Sequence, residues 1–263
     1  MIFLDHAATS PVRREALEAM WPYLTGAFGN PSSRHRLGDE AGRALSWARE
    51  TVAAATATRP GDVVFTSGGT EADNLALKGI ALGAPRGRHV VVSAVEHEAV
   101  LESASYLSRM HGFDLSIVPV DEHGLVTPDA LAAVLRPGTT LVSVQLANNE
   151  VGTIQPVREL AELAHAVGAA VHTDAVQAAG WLPLGLPALG VDAVSLAGHK
   201  VGAPKGTGAL IVRGRQPLEP VLHGGGQERG RRSGTENVAG AVAFATALEL
   251  AERERTETAA RVG

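Results

Sequence analysis

Five short runs carry side chains able to do chemistry, and each follows a β-branched stretch. Ser67-Gly68-Gly69-Thr70-Glu71 joins two glycines to a hydroxyl. Free backbone N–H groups and a Thr hydroxyl at a helix start form a phosphate site. Alone, the run also fits an ordinary glycine-rich turn capped by Thr70. Glu96-His97-Glu98 offers an imidazole that can stack on a planar ring or move a proton. Alone, His97 reads as a solvent-exposed residue opening a helix. Asn148-Asn149 offers two amides that form turns just as readily. Asp174, preceded by His172-Thr173 and followed by Gln177, sets a carboxylate at the end of an apolar segment. Burying it there without a partner is costly; taken singly it reads as a helix N-cap. Gly198-His199-Lys200 enters a Gly/Pro loop. A lysine at the end of a buried strand can lose its proton and act as a Schiff-base nucleophile, and a surface lysine is the plain alternative.

These runs need elements to hold them. Strand patterns fall at 62–65, 89–93, 115–118, 140–145, 169–173, 192–196 and 207–213. Helical patterns cover 39–56, 70–82, 98–110, 128–135 and 156–166. The alternation predicts an α/β fold, a mostly parallel seven-stranded sheet with helices on both faces. The last two strands are joined by a short Gly/Pro/Lys loop at 202–206, too short for a helical crossover, so the final strand is expected antiparallel to its neighbour. From Val238 the sequence is Ala-rich and helical to its end. There it stops at Arg261-Val262-Gly263 as if interrupted.

Parallel sheets bind ligands at the carboxyl ends of their strands. Phosphate cradle, imidazole, amide, carboxylate and lysine then stand at successive strand ends in one order. Each is weak evidence singly. Together they match the needs of pyridoxal 5'-phosphate: a phosphate site, a ring-stacking group, a carboxylate that keeps the pyridine nitrogen protonated, and an amine for the aldehyde. Asp174 and Lys200 take the last two roles, and His97 the stacking role.

Composition narrows the class. Of 263 residues, 45% are hydrophobic and 19% charged, which suits a globular chain. Aromatics make up 4%, so the core must rest on Ala, Val and Leu. Net charge is -5 without a basic run, which argues against nucleic acid, and no apolar stretch has membrane-spanning length. Cysteine is absent, and Met1-Ile2-Phe3-Leu4-Asp5 does not read as a secretory signal. A cytoplasmic location is expected, and no thiol mechanism is open to these residues. No metal site is expected.

Longer motifs carry a resemblance. They are Leu4-Asp5-His6-Ala7-Ala8-Thr9, Phe28-Gly29-Asn30-Pro31-Ser32-Ser33, Phe65-Thr66-Ser67-Gly68-Gly69-Thr70-Glu71-Ala72-Asp73-Asn74 and Glu96-His97. Further on come Asn148-Asn149-Glu150-Val151-Gly152, His172-Thr173-Asp174-Ala175-Val176-Gln177, Gly198-His199-Lys200, and the glycine-rich stretch from His223 to Thr235. With them the chain resembles the cysteine desulfurases of the NifS/IscS kind, in the class V aminotransferase group of fold-type I pyridoxal-phosphate enzymes. The resemblance implies that residues 1–263 form the cofactor-binding large domain with an N-terminal arm. It implies that Lys200 holds the cofactor, Asp174 binds the ring nitrogen, and His97 stacks on the ring and assists proton transfer. Asn149 and Gln177 would bond the ring hydroxyl. Gly69, Thr70 and His199 would hold the phosphate. Thr235 would reach the phosphate of the neighbouring subunit in a homodimer. The implied reaction converts L-cysteine to L-alanine, with sulfur passed to an acceptor or scaffold protein for Fe–S cluster or thio-cofactor assembly.

Three departures qualify this. Ala197 stands where the family usually has Ser, which removes a phosphate hydrogen bond worth about 1 kcal/mol. Gln227 stands where relatives often have His, with little expected effect. The family's C-terminal small domain, its carboxylate-binding Arg and its nucleophilic Cys loop have no counterpart in these residues. A truncated or split desulfurase completed by a separate C-terminal segment is one expectation. A pyridoxal-phosphate-binding pseudoenzyme is the alternative, and another class V aminotransferase or lyase chemistry ranks third.

Overall fold

The computed structural model describes residues 2–83 and 85–262. Seven strands form one sheet: β1 Val63–Thr66, β2 His89–Ser93, β3 Asp114–Val118, β4 Thr139–Ser143, β5 Ala170–Asp174, β6 Ala193–Ala197 and β7 Gly208–Val212. Their order is β1-β7-β6-β5-β4-β2-β3. Pairings between β2, β3, β4, β5 and β6 are parallel. β7 lies antiparallel to both β6 and β1, as the short 202–206 connection requires.

Among the described residues eight α-helices surround the sheet: α1 Arg14–Thr25, α2 Arg36–Ala55, α3 Gly69–Gly83, α4 Glu98–His111, α5 Pro128–Val134, α6 Val157–Ala166, α7 Leu186–Leu189 and α8 Val238–Val262. Side chains alternate along each strand, so the sheet divides the core in two. Val64, Val90, Val92, Leu141 and Leu210 pack with α3 and α4. Val63, Val91, Val142, Val194 and Ile211 pack with the other helices on the opposite face. Phe113 and Phe244 are the buried aromatics of a core otherwise built on Ala, Val and Leu with Ile80 and Ile211, much as the composition implied.

α1 and α7 were not legible in the sequence. α1 holds an internal Pro22, and its core-facing stripe is the modest set Ala16, Ala19, Met20 and Tyr23, while the bulkier Leu17, Trp21 and Leu24 are exposed, so the larger apolar residues point to the wrong face. α7 is a single turn. Among the described residues no helix is long and apolar enough to cross a membrane.

Two glycines bring the strand ends together. In β7, a Cβ on Gly208 would lie 2.6 Å from the Leu196 carbonyl oxygen and 2.7 Å from Gly68 Cα. Only hydrogen fits, and the β1–α3 turn crosses there. On Gly198 a Cβ would lie 2.1 Å from Thr207 Oγ1, so the turn carrying His199 and Lys200 sits directly on the β7 entry.

Candidate active site

A cleft of about 400 Å³ opens at the carboxyl ends of the parallel strands. Gly69, Thr70, His97, Asn149, Asp174, Gln177, His199 and Lys200 all line it. Thr235 does not. It lies exposed beside a second cavity of about 180 Å³, together with Ser67, Thr207 and Arg232.

The β1–α3 turn sets the first wall. α3 begins at Gly69, so its first N–H groups lie at the cleft. A Cβ on Gly69 would stand 2.8 Å from Val176 Cγ2 and 3.4 Å from Ala197 Cβ, so a side chain would fill the cradle. Glu71 fixes the turn: its Oε2 accepts from Ser67 N at 2.8 Å and its Oε1 from Arg232 Nε at 2.8 Å. Burial raises the Glu71 carboxyl, but Arg232 and Ser67 outweigh it and hold the group below its ordinary range.

His97 is the N-cap of α4, with Nδ1 accepting from Ala99 N at 3.0 Å. That bond leaves Nε2 to carry the ring proton. The exposed helix-opening residue and the cleft-lining imidazole are thus the same side chain. The two amides divide their work. Asn148 Oδ1 accepts from Glu150 N and Val151 N at 2.8 and 2.9 Å and forms the turn, while Asn149 reaches the cleft with its Nδ2 on Glu150 Oε1 at 2.6 Å.

Asp174 ends β5 at 7% exposure, with Oδ1 accepting from Val176 N at 2.8 Å. Burial raises its carboxyl above the ordinary range, against the pull of Val176 N–H, His97 and Lys200. A cation at its other oxygen would restore the charged form. Gln177 Oε1 is buried with no hydrogen-bond partner among the described residues, an acceptor awaiting a donor.

Lys200 follows β6 and is half-buried. Burial lowers its amine below the ordinary lysine range, while Asp174 and Asp5 partly offset this. Its Nζ donates to the Ala7 carbonyl. His199 is also tied to the N-terminal arm. Its Nδ1 meets Thr9 Oγ1 at 3.2 Å, and its carbonyl accepts from Ser10 N and Ser10 Oγ at 2.9 and 2.7 Å. Burial, Lys200 and Lys205 all lower the His199 imidazole.

Sequence reasoning missed Asp5, Ala7, Asp73 and Gln145, which share the cleft. Asp73 carried a signal: a carboxylate on α3 three residues after Thr70, between Ala72 and Leu75 on a side otherwise apolar.

Pyridoxal phosphate fits these residues. An amine of lowered proton affinity, a buried carboxylate wanting a cation, an orphaned acceptor and a helix start that no side chain blocks answer four parts of that molecule. The cleft volume is of the order ligand sites have.

The class-V aminotransferase profile matches residues 2–262, and the chain belongs to that pyridoxal-phosphate-dependent family. Within it the chain is 47% identical over 251 residues to a cysteine desulfurase IscS of Dictyoglomus turgidum, covering 95% of this chain and 64% of the relative. It is 46% identical over 258 residues to a cysteine desulfurase IscS of Methanosarcina thermophila, covering 98% and 64%. The chain thus spans about 64% of the length of these relatives. Among solved structures, a NifS-like protein superposes with a TM-score of 0.92 at 43% identity, over 96% of this chain and 70% of that one. SspA in complex with cysteine superposes at 0.91 and 36% identity, over 95% and 72%.

Proposed function

We propose that residues 1–263 form the pyridoxal-phosphate-binding large domain of a cysteine desulfurase, which takes sulfur from L-cysteine and releases L-alanine. The observation that carries this reading is the meeting of Lys200 and Asp174 with the α3 start in one cleft. The similarity to desulfurases and to a cysteine-bound structure supports the substrate.

When bound, the cofactor supplies an electron sink for negative charge developing on the substrate carbon. Asp174 holds the proton on the ring nitrogen, and Gln177 and Asn149 orient the ring through its hydroxyl. Gly69, Thr70 and His199 hold the phosphate. The Lys200 amine, poised to lose its proton, secures the cofactor, and His97 Nε2 moves a proton beside it. Thr235 serves the partner subunit's phosphate in a homodimer, which suits its place outside its own cleft. Sulfur leaves to a thiolate that these 263 residues do not contain, so a Cys-bearing segment or acceptor protein provides it. Fe–S cluster or thio-cofactor assembly in the cytoplasm is the corresponding role.

The test is borohydride reduction of the cofactor-loaded protein followed by peptide mapping. The cofactor label is expected on Lys200 and absent from Lys200→Ala. The same labelled peptide in the variant would refute the assignment.

A further inference from the structure

Asp73 is an acid that the roles above do not use. It stands on α3 at 1% exposure and lines the same cleft as Asp174. Its Oδ1 has no hydrogen-bond partner among the described residues. The basic group within ion-pair reach is His172, with Nε2 at 3.7 Å. That ring is fully buried and already engaged, Nδ1 with Ser143 Oγ at 2.8 Å and Nε2 with Ser195 Oγ at 2.9 Å. Burial lowers His172 to about 3, so it is neutral and offers no counter-charge. A buried carboxylate with one oxygen unpartnered and no counter-ion is far costlier than the neutral acid.

The surroundings reinforce this. From β5 come His172 and Asp174, two residues apart and so on one face. From the turn after β2 come Glu96 and His97, and from the end of β6 comes Lys200. Lys200 and His97 favour the charge of Asp174. β4 and β7, also packed on α3, bring no titratable side chain, and α4 keeps Glu98, Glu102 and Arg109 exposed. Burial above all raises Asp73, and the charges of Asp174 and Glu96 add to it; the Ser195 hydroxyl alone works the other way.

We propose that Asp73 is a positioning residue for the cofactor site, a neutral acid that completes the polar chain behind Asp174 and leaves Asp174 as the single negative charge facing the ring nitrogen. Two acids that line one cleft, Asp73 raised by the charge of Asp174, share protons, and the one nearer a cation keeps the charge. In this arrangement the cation is the protonated ring nitrogen, and the proposal therefore rests on the reading that the cleft holds pyridoxal phosphate. The Ser195–His172–Ser143 chain fixes β5 from behind, and Asp73 adds a donor to it without adding charge.

The experiment has two arms. Carboxyl-carbon NMR of labelled protein without cofactor follows Asp73, assigned by comparison with Asp73→Asn. Its signal is expected to titrate above the ordinary carboxylate range. A midpoint inside the ordinary carboxylate range overturns the proposal, whatever the cleft binds. The second arm follows the visible absorbance of the loaded protein against pH. Asp73→Asn, neutral and able to donate, is expected to keep the midpoint within about 0.3 unit of wild type. Asp73→Ala, equally uncharged but without a donor, is expected to raise it by about half a unit or more, because a less firmly held ring-nitrogen proton repels the lysine-linked proton less. A shift in Asp73→Asn as large as that in Asp73→Ala, or none in either, overturns the positioning role. No visible band in wild type would instead refute the cofactor reading, and the NMR arm would still decide the state of Asp73.

Discussion

The Lys200 amine donates to the carbonyl of Ala7, so the N-terminal arm closes on the side chain assigned to hold the cofactor. Asp5 lies in the same arm and favours the charged amine, second to Asp174 in doing so. Removing the Asp5 charge should lower the Lys200 pKa further. For Asp5→Asn, the pH profile of cofactor capture, followed by absorbance, is expected to move down by about 0.3 unit. An upward move would mean that the arm holds the amine in some other way.

Asp174→Asn should damage carbanion chemistry more than cofactor binding. An amide cannot supply the charge that keeps the ring nitrogen protonated. Exchange of the α-proton of a bound amino acid in deuterated water is expected to fall by about 100-fold or more. Cofactor retention on gel filtration should fall much less. Equal losses in both would make Asp174 a structural cap on Val176 N–H and nothing more.

Glu96 gives a pH dependence with a definite sign. Burial raises its carboxyl from 4.5 to about 8, against hydrogen bonds from Ser93 and Gln145. Between these values the folded chain keeps a proton that the unfolded chain has released. Rising pH therefore favours unfolding across this window, by on the order of 5 kcal/mol in total for a group this buried. The contribution is fully present below pH 4.5 and lost as pH passes 8. Urea midpoints for Glu96→Gln should accordingly fall less than wild type between pH 5 and pH 8. Parallel curves would show that Glu96 is solvated in the folded chain.

The sheet was legible in the sequence because its strands are short β-branched runs between helical periods. Each predicted strand lies within two residues of an observed one, and the antiparallel β7 followed from loop length alone. Eight of the nine site residues share one cleft for the same reason: strand ends converge, so order along the chain becomes proximity. Asp73 escaped because its meaning is tertiary. Nothing local says that a helix-borne carboxylate meets a buried His172 whose ring is already satisfied. Ala7 escaped because a backbone carbonyl has no sequence signature. Thr235 was read from resemblance and remains a statement about a second subunit.

Sulfur release should depend on a thiol added to these 263 residues. Breaking the carbon–sulfur bond of cysteine requires a thiolate to take the sulfur, and the sequence holds no cysteine. A dithiol in solution can approach the cleft, but it lacks the positioning that an attached thiolate enjoys, an advantage that can reach about 10⁵ M in effective concentration. The rate of sulfide release from L-cysteine is therefore expected to rise linearly with dithiothreitol, from a small residual carried by the thiol of free L-cysteine. A polypeptide carrying the relatives' Cys-bearing segment should replace the dithiol at far lower concentration, and the persulfide should then be found on that polypeptide. Alanine formation must track sulfide one for one, which separates true desulfuration from thiol-driven loss of cysteine. Sulfide and alanine produced at equal rates with and without added thiol would overturn the proposed mechanism.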